Sequence, residues 1–166
     1  DNPKPPSSLA ALKNNGVITL EDNERLKGVS RMQSLDIILQ LAGKSFPAAE
    51  KEAMATRKNE WFVEYIEELK PEEIFPGVKH LITSLRAKEI KIALASSSKN
   101  AKRVVELLNI KTLFDALVDG TMIEHTKPDP EIFLLAAQKL GVAPAHCIVV
   151  EDAEAGVEAA LRAGMK

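Results

Sequence analysis

The sequence predicts an α/β fold, a parallel sheet covered by helices, preceded by a part that is helical throughout. Up to about Leu69 the apolar residues recur at intervals of three and four, which is typical of amphipathic helices. After Pro76-Gly77 helical stripes alternate with short apolar runs, which is typical of a parallel sheet between helices. We therefore divide the chain into a helical part, residues 1–70, and an α/β part, residues 71–166.

Four helices are expected in the helical part. The third has the clearest start, because Ser30 followed by Gln33 forms a capping-box pattern. Gly residues in the left-handed conformation commonly end helices, and Pro cannot continue one. These signals predict helices over Ser7–Gly16, Thr19–Gly28 and Ser30–Gly43, and a long fourth helix from Pro47 through Leu69 until Pro71.

The α/β part is expected to contain three strands. They are Ile90–Ala95, Ala116–Val118 and Cys147–Val150, and the first and last are apolar on both faces, as in strands buried between two layers of helices. One helix is predicted before the first strand, starting at Val78, and three more between and after the strands, over Asn100–Leu108, Asp129–Gly141 and Ala153–Ala163.

The composition excludes several classes of protein. The 166 residues carry 22 Lys and Arg against 24 Asp and Glu, a net charge of −2, without the basic patch of a nucleic-acid-binding protein. No apolar run approaches the roughly 20 residues of a membrane span. A single cysteine, Cys147, cannot form an internal disulfide and favours a reducing compartment. We expect a cytoplasmic protein, because no signal-peptide pattern occurs at the start.

The carboxyl ends of parallel strands are where ligands bind, and polar residues follow all three predicted strands. Ser96-Ser97-Ser98-Lys99-Asn100 offers hydroxyls, an ammonium group and a helix start, which together suit a phosphate. In the alternative interpretation a serine only caps the helix. Lys127 is followed by Pro128, the predicted N-cap Asp129 and Pro130, and it is either a fixed cation for phosphate or a solvated lysine beside that cap.

Glu151 and Asp152 follow the third strand, and adjacent carboxylates beside a phosphate suit Mg²⁺. The alternative is that Asp152 only caps the last helix. Taken together, a hydroxyl, a lysine and an acidic pair on successive strand ends suit phosphoryl transfer. A nucleophile is lacking, since no Ser-His-Asp or Cys-His arrangement follows from the spacing. The three histidines, His80, His125 and His146, are expected in surface or loop positions.

These residues resemble the second, third and fourth motifs of the haloacid dehalogenase superfamily of phosphotransferases. The motifs are Ser96 after Ile-Ala-Leu-Ala, Lys127 in Lys-Pro-Asp-Pro-Glu-Ile-Phe, and Glu151-Asp152 in Val-Val-Glu-Asp-Ala-Glu-Ala-Gly. Three segments of the helical part resemble sequences in one branch of this superfamily, whose members interconvert β-glucose 1-phosphate and glucose 6-phosphate. The segments are Leu26-Lys27-Gly28-Val29-Ser30-Arg31, Ser34-Leu35 and Arg57-Lys58-Asn59. The resemblance covers about Leu9 to Gly164.

The resemblance implies a Rossmann-like core under a helical cap that closes over a sugar phosphate. Ser96 and Lys127 would hold the transferring phosphoryl group, and Glu151 and Asp152 would bind Mg²⁺. Arg31 would hold the second phosphate. The alternative is that Arg31 is only an exposed charge in the first turn of a helix. The other implied substrate-binding residues are Lys27, Gly28, Ser30, Ser34, Lys58, Ser97, Ser98, Lys99 and Asn100.

One feature of the superfamily has no counterpart in the sequence. Its members begin with a strand carrying Asp-x-Asp, which provides the nucleophile and the general acid/base, and this sequence contains no Asp-x-Asp. We expect the chain to be incomplete relative to a working enzyme and inactive by itself. The alternatives to a mutase are a sugar-phosphate phosphatase of the same fold and a catalytically inactive phosphosugar-binding fragment. We expect a monomer whose partner is a small sugar phosphate, not nucleic acid or a membrane.

Overall fold

The computed structural model describes residues 19–166, in which a helical segment precedes a small α/β layer. The helices are α1 (Leu20–Glu24), α2 (Arg31–Leu41), α3 (Ala48–Ile66), α4 (Val78–Arg86), α5 (Ala101–Leu107), α6 (Glu131–Leu140) and α7 (Glu154–Arg162). Single 3₁₀ turns lie at Pro71–Glu73, Lys111–Leu113 and Pro144–His146. The strands β1 (Ala93–Ala95) and β2 (Ala116–Val118) pair in parallel, with Leu94 opposite Leu117. None of the described helices is both long and apolar enough for a bilayer.

The helix starts in the helical part follow the sequence signals. The Ser30 hydroxyl accepts from the Gln33 N–H at 3.2 Å, and the Gln33 side chain accepts from the Ser30 N–H at 2.9 Å, so the predicted capping box is confirmed. An ion pair of 2.7 Å between Lys51 Nζ and Asp36 Oδ1 joins α2 to α3. The predicted helix over Ser7–Gly16 lies outside the described residues.

Two helices end earlier than the sequence predicts. The helix expected to reach Gly28 ends at Glu24, and the one expected to continue through Leu69 ends at Ile66. After each end, a backbone N–H donates to the carbonyl three residues earlier. These bonds run from the Lys27 N–H to the Glu24 carbonyl (3.1 Å) and from the Leu69 N–H to the Ile66 carbonyl (2.9 Å). Such tight turns satisfy the terminal carbonyls and stop the helix before the expected Gly or Pro is reached.

The core lies where α6 and α7 pack against the sheet. Val118 and Ile132 are fully buried in it. The rest of the buried cluster is dominated by small side chains, which allow the helices to approach closely: Phe133, Ala136, Ala137, Ala159, Ala160, Ala163 and Met165. The α/β class predicted from the sequence is therefore confirmed.

The first strand is shorter than predicted. It begins at Ala93 instead of Ile90, and Ile90 is about half exposed, at 47%. The Ile92 N–H donates to the Asp115 carboxylate at 2.8 Å, and the Ile92 carbonyl accepts from the Asp115 N–H at 2.8 Å. Because Asp115 takes both backbone groups of Ile92, regular pairing with β2 starts only beyond it.

The prediction that Cys147–Val150 is a strand buried on both faces is wrong. The segment is not a regular strand, and Ile148 and Val150 are 78% and 92% exposed. Its backbone pairs with Lys166, through the Val149 N–H to the Lys166 carbonyl (2.7 Å) and the Lys166 N–H to the Cys147 carbonyl (3.2 Å). Cys147 and Val149 pack on the core cluster. Among the described residues only one face of this segment is covered, so its alternate side chains point outward.

Candidate active site

The loop after β1 begins the candidate site. Ser96 continues the ladder through its N–H, which donates to the Val118 carbonyl at 3.0 Å. The Ser96 hydroxyl accepts from the Ser98 N–H at 3.2 Å, and the Ser98 hydroxyl accepts from the Asn100 N–H at 3.1 Å. These bonds hold a tight turn before α5. The N-cap of α5 is Asn100 and no side chain caps this helix, so the interpretation that a serine only caps it is wrong. A hydroxyl that accepts one bond still has a donor proton for a ligand.

The loop after β2 packs directly against the first loop. A Cβ on Gly120 would come within 3.0 Å of the Ser97 carbonyl oxygen, so only glycine allows this approach. Lys99 lies on the same side of Gly120, with its Cγ 3.3 Å from that added Cβ. The preceding Asp119 is buried, and its Oδ1 accepts from the Thr121 N–H (2.9 Å) and hydroxyl (2.5 Å). Sequence reasoning missed Asp119 and Gly120, although Asp-Gly directly after a strand is a turn signal.

Lys127 is buried, with 4% of its side chain exposed, so the interpretation as a solvated lysine is wrong. Its Nζ lies 2.5 Å from Glu151 Oε2 and 4.8 Å from the centroid of the Phe133 ring. Asp129 fixes the backbone between Lys127 and α6, because its Oδ1 accepts from the Glu131 N–H, at the start of α6, at 2.9 Å. The lysine is therefore a fixed cation.

The two acidic residues before α7 have different environments. Glu151 is 12% exposed, and its Oε1 accepts from the Ala153 N–H at 3.2 Å while Oε2 contacts Lys127. The Asp152 side chain is 82% exposed, and Ala153, which has no capping side chain, is the N-cap of α7. The helix-capping interpretation of Asp152 is therefore wrong. A Cβ on Gly156 would come within 3.0 Å of Glu151 Cδ, so Gly156 makes room for the carboxylate.

The donor set of this acidic pair fits a magnesium ion. Mg²⁺ takes one or two protein carboxylates and fills its other positions with water and phosphate oxygens. Asp152 presents an exposed carboxylate, and the adjacent Glu151 is fixed by Lys127 and the Ala153 N–H. These two residues would hold the ion.

The loop between α1 and α2 covers these strand ends. The Gly28 carbonyl accepts from the Ser97 hydroxyl at 2.9 Å. Gly28 has φ +73°, and a Cβ there would lie 3.3 Å from Ala153 Cβ and 3.6 Å from Lys127 Cδ. Lys27 Nζ lies 3.5 Å from Asp152 Oδ2, and its pKa is raised by its hydrogen bond to Glu24, with a further contribution from Asp152. The structure thus places Lys27 beside Asp152, and Gly28 beside Ser97 and Lys127.

A second polar cluster joins the two parts of the chain. Arg31 Nη2 donates to Asn59 Oδ1 at 2.6 Å, and Asn100 Nδ2 donates to the same oxygen at 2.9 Å. Arg31 is half-buried, so the interpretation as a free surface charge is wrong. The pKa of Lys58 is lowered by desolvation and by the positive charge of Arg31, and its Nζ lies 5.2 Å from the Phe62 ring centroid.

The two serines of the helical part that were expected to bind substrate, Ser30 and Ser34, form hydrogen bonds close by in the sequence. Ser30 caps α2, and the Ser34 hydroxyl donates to the Leu26 carbonyl at 3.4 Å. Gln33, which sequence reasoning used only for the capping box, also reaches the core, because its Oε1 accepts from the Thr126 hydroxyl at 2.6 Å. The signal for this second contact is absent from local sequence, since Thr126 is 93 residues away.

The histidines are exposed, as expected. His125 forms a cluster with Asp129 and Glu131 in which ligand atoms lie within 4.8 Å of one another. The Glu131 carboxylate accepts from the backbone N–H groups of Glu124 (3.0 Å) and His125 (2.7 Å), and these two bonds lower the pKa of Glu131. The cluster therefore stabilises the loop that leads to Lys127.

The parallel sheet, the strand-end serine, the buried lysine and the acidic pair together match a core of the haloacid dehalogenase kind. The chain belongs to the haloacid dehalogenase-like hydrolase family, whose sequence pattern matches residues 7–164.

Particular members are similar over most of the chain. β-Phosphoglucomutase of Bacillus subtilis is 47% identical over 145 residues, which are 86% of this chain and 64% of the relative. A phosphorylated carbohydrates phosphatase of Thermotoga maritima is 33% identical, over 87% of this chain and 65% of the relative. The crystal structure of β-phosphoglucomutase from Clostridium difficile superposes with a TM-score of 0.83 at 43% identity, covering 92% of this chain and 70% of that one. The chain thus spans just under two thirds of the length of the two curated relatives.

Proposed function

We propose that the chain is the cap and part of the core of a β-phosphoglucomutase, which interconverts β-glucose 1-phosphate and glucose 6-phosphate. Residues 1–70 form the cap and residues 71–166 the core in this proposal. The observation that carries it is the buried Lys127–Glu151 pair, which lies next to Gly28 of the cap, whose carbonyl accepts from the Ser97 hydroxyl. The 47% identity to the Bacillus subtilis mutase supports the same assignment.

The core residues bind and orient the phosphoryl group that is transferred. The Ser96 hydroxyl donates to one phosphate oxygen and the Lys127 ammonium neutralises charge on the others. Glu151 fixes the position of the lysine by its 2.5 Å contact. A magnesium ion held by Glu151 and Asp152 supplies further charge neutralisation when bound. Ser97, Ser98, Lys99 and Asn100 line the path between this phosphate and the cap.

The cap residues bind the phosphate that is not transferred. Arg31 and Lys58 are close enough for the charge of one to lower the pKa of the other, so they form a doubly positive site. A guanidinium group suits a bidentate contact with phosphate. Ser30 and Ser34 hold the start of α2, and Lys27 and Gly28 close the site toward Asp152.

In the superfamily that this chain resembles, the phosphoryl acceptor is the first Asp of Asp-x-Asp, and the 166 residues contain no such pair. We therefore expect no phospho-aspartate on this polypeptide. Intact mass after incubation with β-glucose 1,6-bisphosphate and Mg²⁺ tests this, since a phosphorylated protein would contradict the expectation.

A sugar-phosphate phosphatase is the second candidate, and the 33% identity to the Thermotoga maritima phosphatase favours it. The two functions differ in the acceptor of the phosphoryl group, which is a sugar hydroxyl in a mutase and water in a phosphatase. A fusion that places the amino-terminal segment of the Bacillus subtilis relative before this chain allows both products to be measured.

If the fusion is a mutase, glucose 6-phosphate should form from β-glucose 1-phosphate faster than free phosphate is released. Arg31→Ala in the fusion should reduce isomer formation far more than phosphate release, because only the mutase needs the second phosphate site. Equal losses of both activities would support the phosphatase.

A further inference from the structure

The side-chain oxygen of Asn59 accepts hydrogen bonds from both parts of the chain. Arg31 Nη2 donates to it from the start of α2 at 2.6 Å, and Asn100 Nδ2 donates to it from the loop before α5 at 2.9 Å. Asn59 itself lies on α3 and is half-buried. One carboxamide oxygen therefore fixes a cap guanidinium and connects it to the core.

The neighbouring charges explain why such a group is useful. Arg31 and Lys58 are both positive, and the charge of Arg31 contributes to lowering the pKa of Lys58. A long arginine side chain next to a second cation is pushed away unless an acceptor holds it. A carboxylate would hold it but would cancel the positive charge that binds an anion, whereas a carboxamide oxygen orients the guanidinium group and leaves its charge in place.

We propose that Asn59 is a positioning residue that presents the Arg31 guanidinium group to the second phosphate of a bisphosphorylated sugar when the cap lies against the core. This inference rests on the proposed function. Asn59 acts through Arg31 and not by contact with the substrate. The bond from Asn100 restricts this orientation to the arrangement in which α3 lies against the loop after β1.

The test is isothermal titration of the 166-residue protein with two probes, β-glucose 1,6-bisphosphate and inorganic phosphate, in the presence of Mg²⁺. Asn59→Leu keeps the size of the side chain and removes the acceptor. We expect it to raise the Kd for the bisphosphate about tenfold, the effect of losing one hydrogen bond to a charged group. The Kd for inorganic phosphate at Ser96 and Lys127 should change less than about twofold, within the error of additivity for independent sites.

Two further variants separate positioning from a general structural role. Gln40→Leu, an exposed carboxamide on α2, is the matched control and should change neither Kd. In an Arg31→Ala background, Asn59→Leu should have almost no further effect on the bisphosphate, because its target is already gone. Asn59→Ala removes the same oxygen and gives the same measurement if the leucine variant does not fold.

The outcomes distinguish this inference from the proposed function. If Arg31→Ala weakens bisphosphate binding and Asn59→Leu does not, the positioning role is wrong and the proposed function stands. Equal losses from Asn59→Leu with and without Arg31 would also contradict the positioning role. If wild-type protein does not bind the bisphosphate, or Arg31→Ala leaves its affinity unchanged, the cap phosphate site is wrong and this inference is wrong with it.

Discussion

Gly156→Ala tests whether the Lys127–Glu151 pair is fixed by the start of α7. An added Cβ at residue 156 would come within 3.0 Å of Cγ, Cδ and Oε1 of Glu151. The carboxylate would have to move, and the movement would separate it from Lys127, which is only 4% exposed and is therefore shielded from bulk solvent. The change in the free energy of unfolding therefore depends on two opposing effects, the gain in helix propensity and the loss of the ion pair.

The two terms differ in size. Alanine is favoured over glycine inside a helix by up to about 1 kcal/mol, and Gly156 lies in the first turn of α7. Leaving one partner of a buried ion pair unpaired costs about 3–5 kcal/mol. We therefore expect Gly156→Ala to lower the free energy of unfolding by about 2–4 kcal/mol, the difference between these values.

Urea unfolding followed by circular dichroism measures this change. In a double-mutant cycle with Glu151→Ala, the effects of the two substitutions should not add, because removing the carboxylate also removes the clash. Unchanged or increased stability of Gly156→Ala would refute the reasoning, since it would show that Glu151 has room to move while keeping its partner.

Three further predictions concern the same loops. Lys127→Met should abolish detectable binding of inorganic phosphate in isothermal titration and lower the free energy of unfolding by about 3–5 kcal/mol, because Glu151 loses its buried partner; near wild-type phosphate affinity would contradict the role of the lysine. Asp152→Asn should remove the dependence of bisphosphate affinity on Mg²⁺ while leaving the urea midpoint nearly unchanged, since this side chain is exposed, and an intact Mg²⁺ dependence would place the ion elsewhere. The Glu131 pKa is lowered from its usual 4.5 by backbone N–H groups, so its stabilising contribution is present above about pH 4.5 and is lost as the pH falls through its lowered pKa. Glu131→Gln should therefore lose less stability than wild type when the pH is lowered from 6 to 3, as measured by the urea midpoint. Parallel plots of urea midpoint against pH for the two proteins would contradict this.

The features that could be predicted from the sequence are those encoded by neighbouring residues. The capping box of Ser30 and Gln33 needs only a spacing of three, and the short apolar run Ala116–Val118 is bounded by clear turn signals. Lys127 could be singled out as a candidate cation because Pro128 and Pro130 stiffen the segment that follows it. In each case the signal lies within a few residues of the chain.

The features that could not be predicted depend on contacts between distant residues. The ion pair of Lys127 with Glu151, and the space that Gly156 provides for it, appear only after α6 and α7 pack on the sheet. The burial of Cys147–Val150 was predicted wrongly because an apolar composition indicates which residues prefer burial but not which neighbours cover them. The role of Asn59 depends on Asn100, 41 residues away.

The most direct test of the central claim, a sugar-phosphate site between cap and core, is calorimetric titration of the 166-residue protein with β-glucose 1,6-bisphosphate. The account predicts saturable binding of one ligand per chain that weakens when Mg²⁺ is removed by EDTA and when Arg31 or Lys127 is replaced. Absence of binding by the folded wild-type protein, or binding that none of these changes affects, would contradict the account.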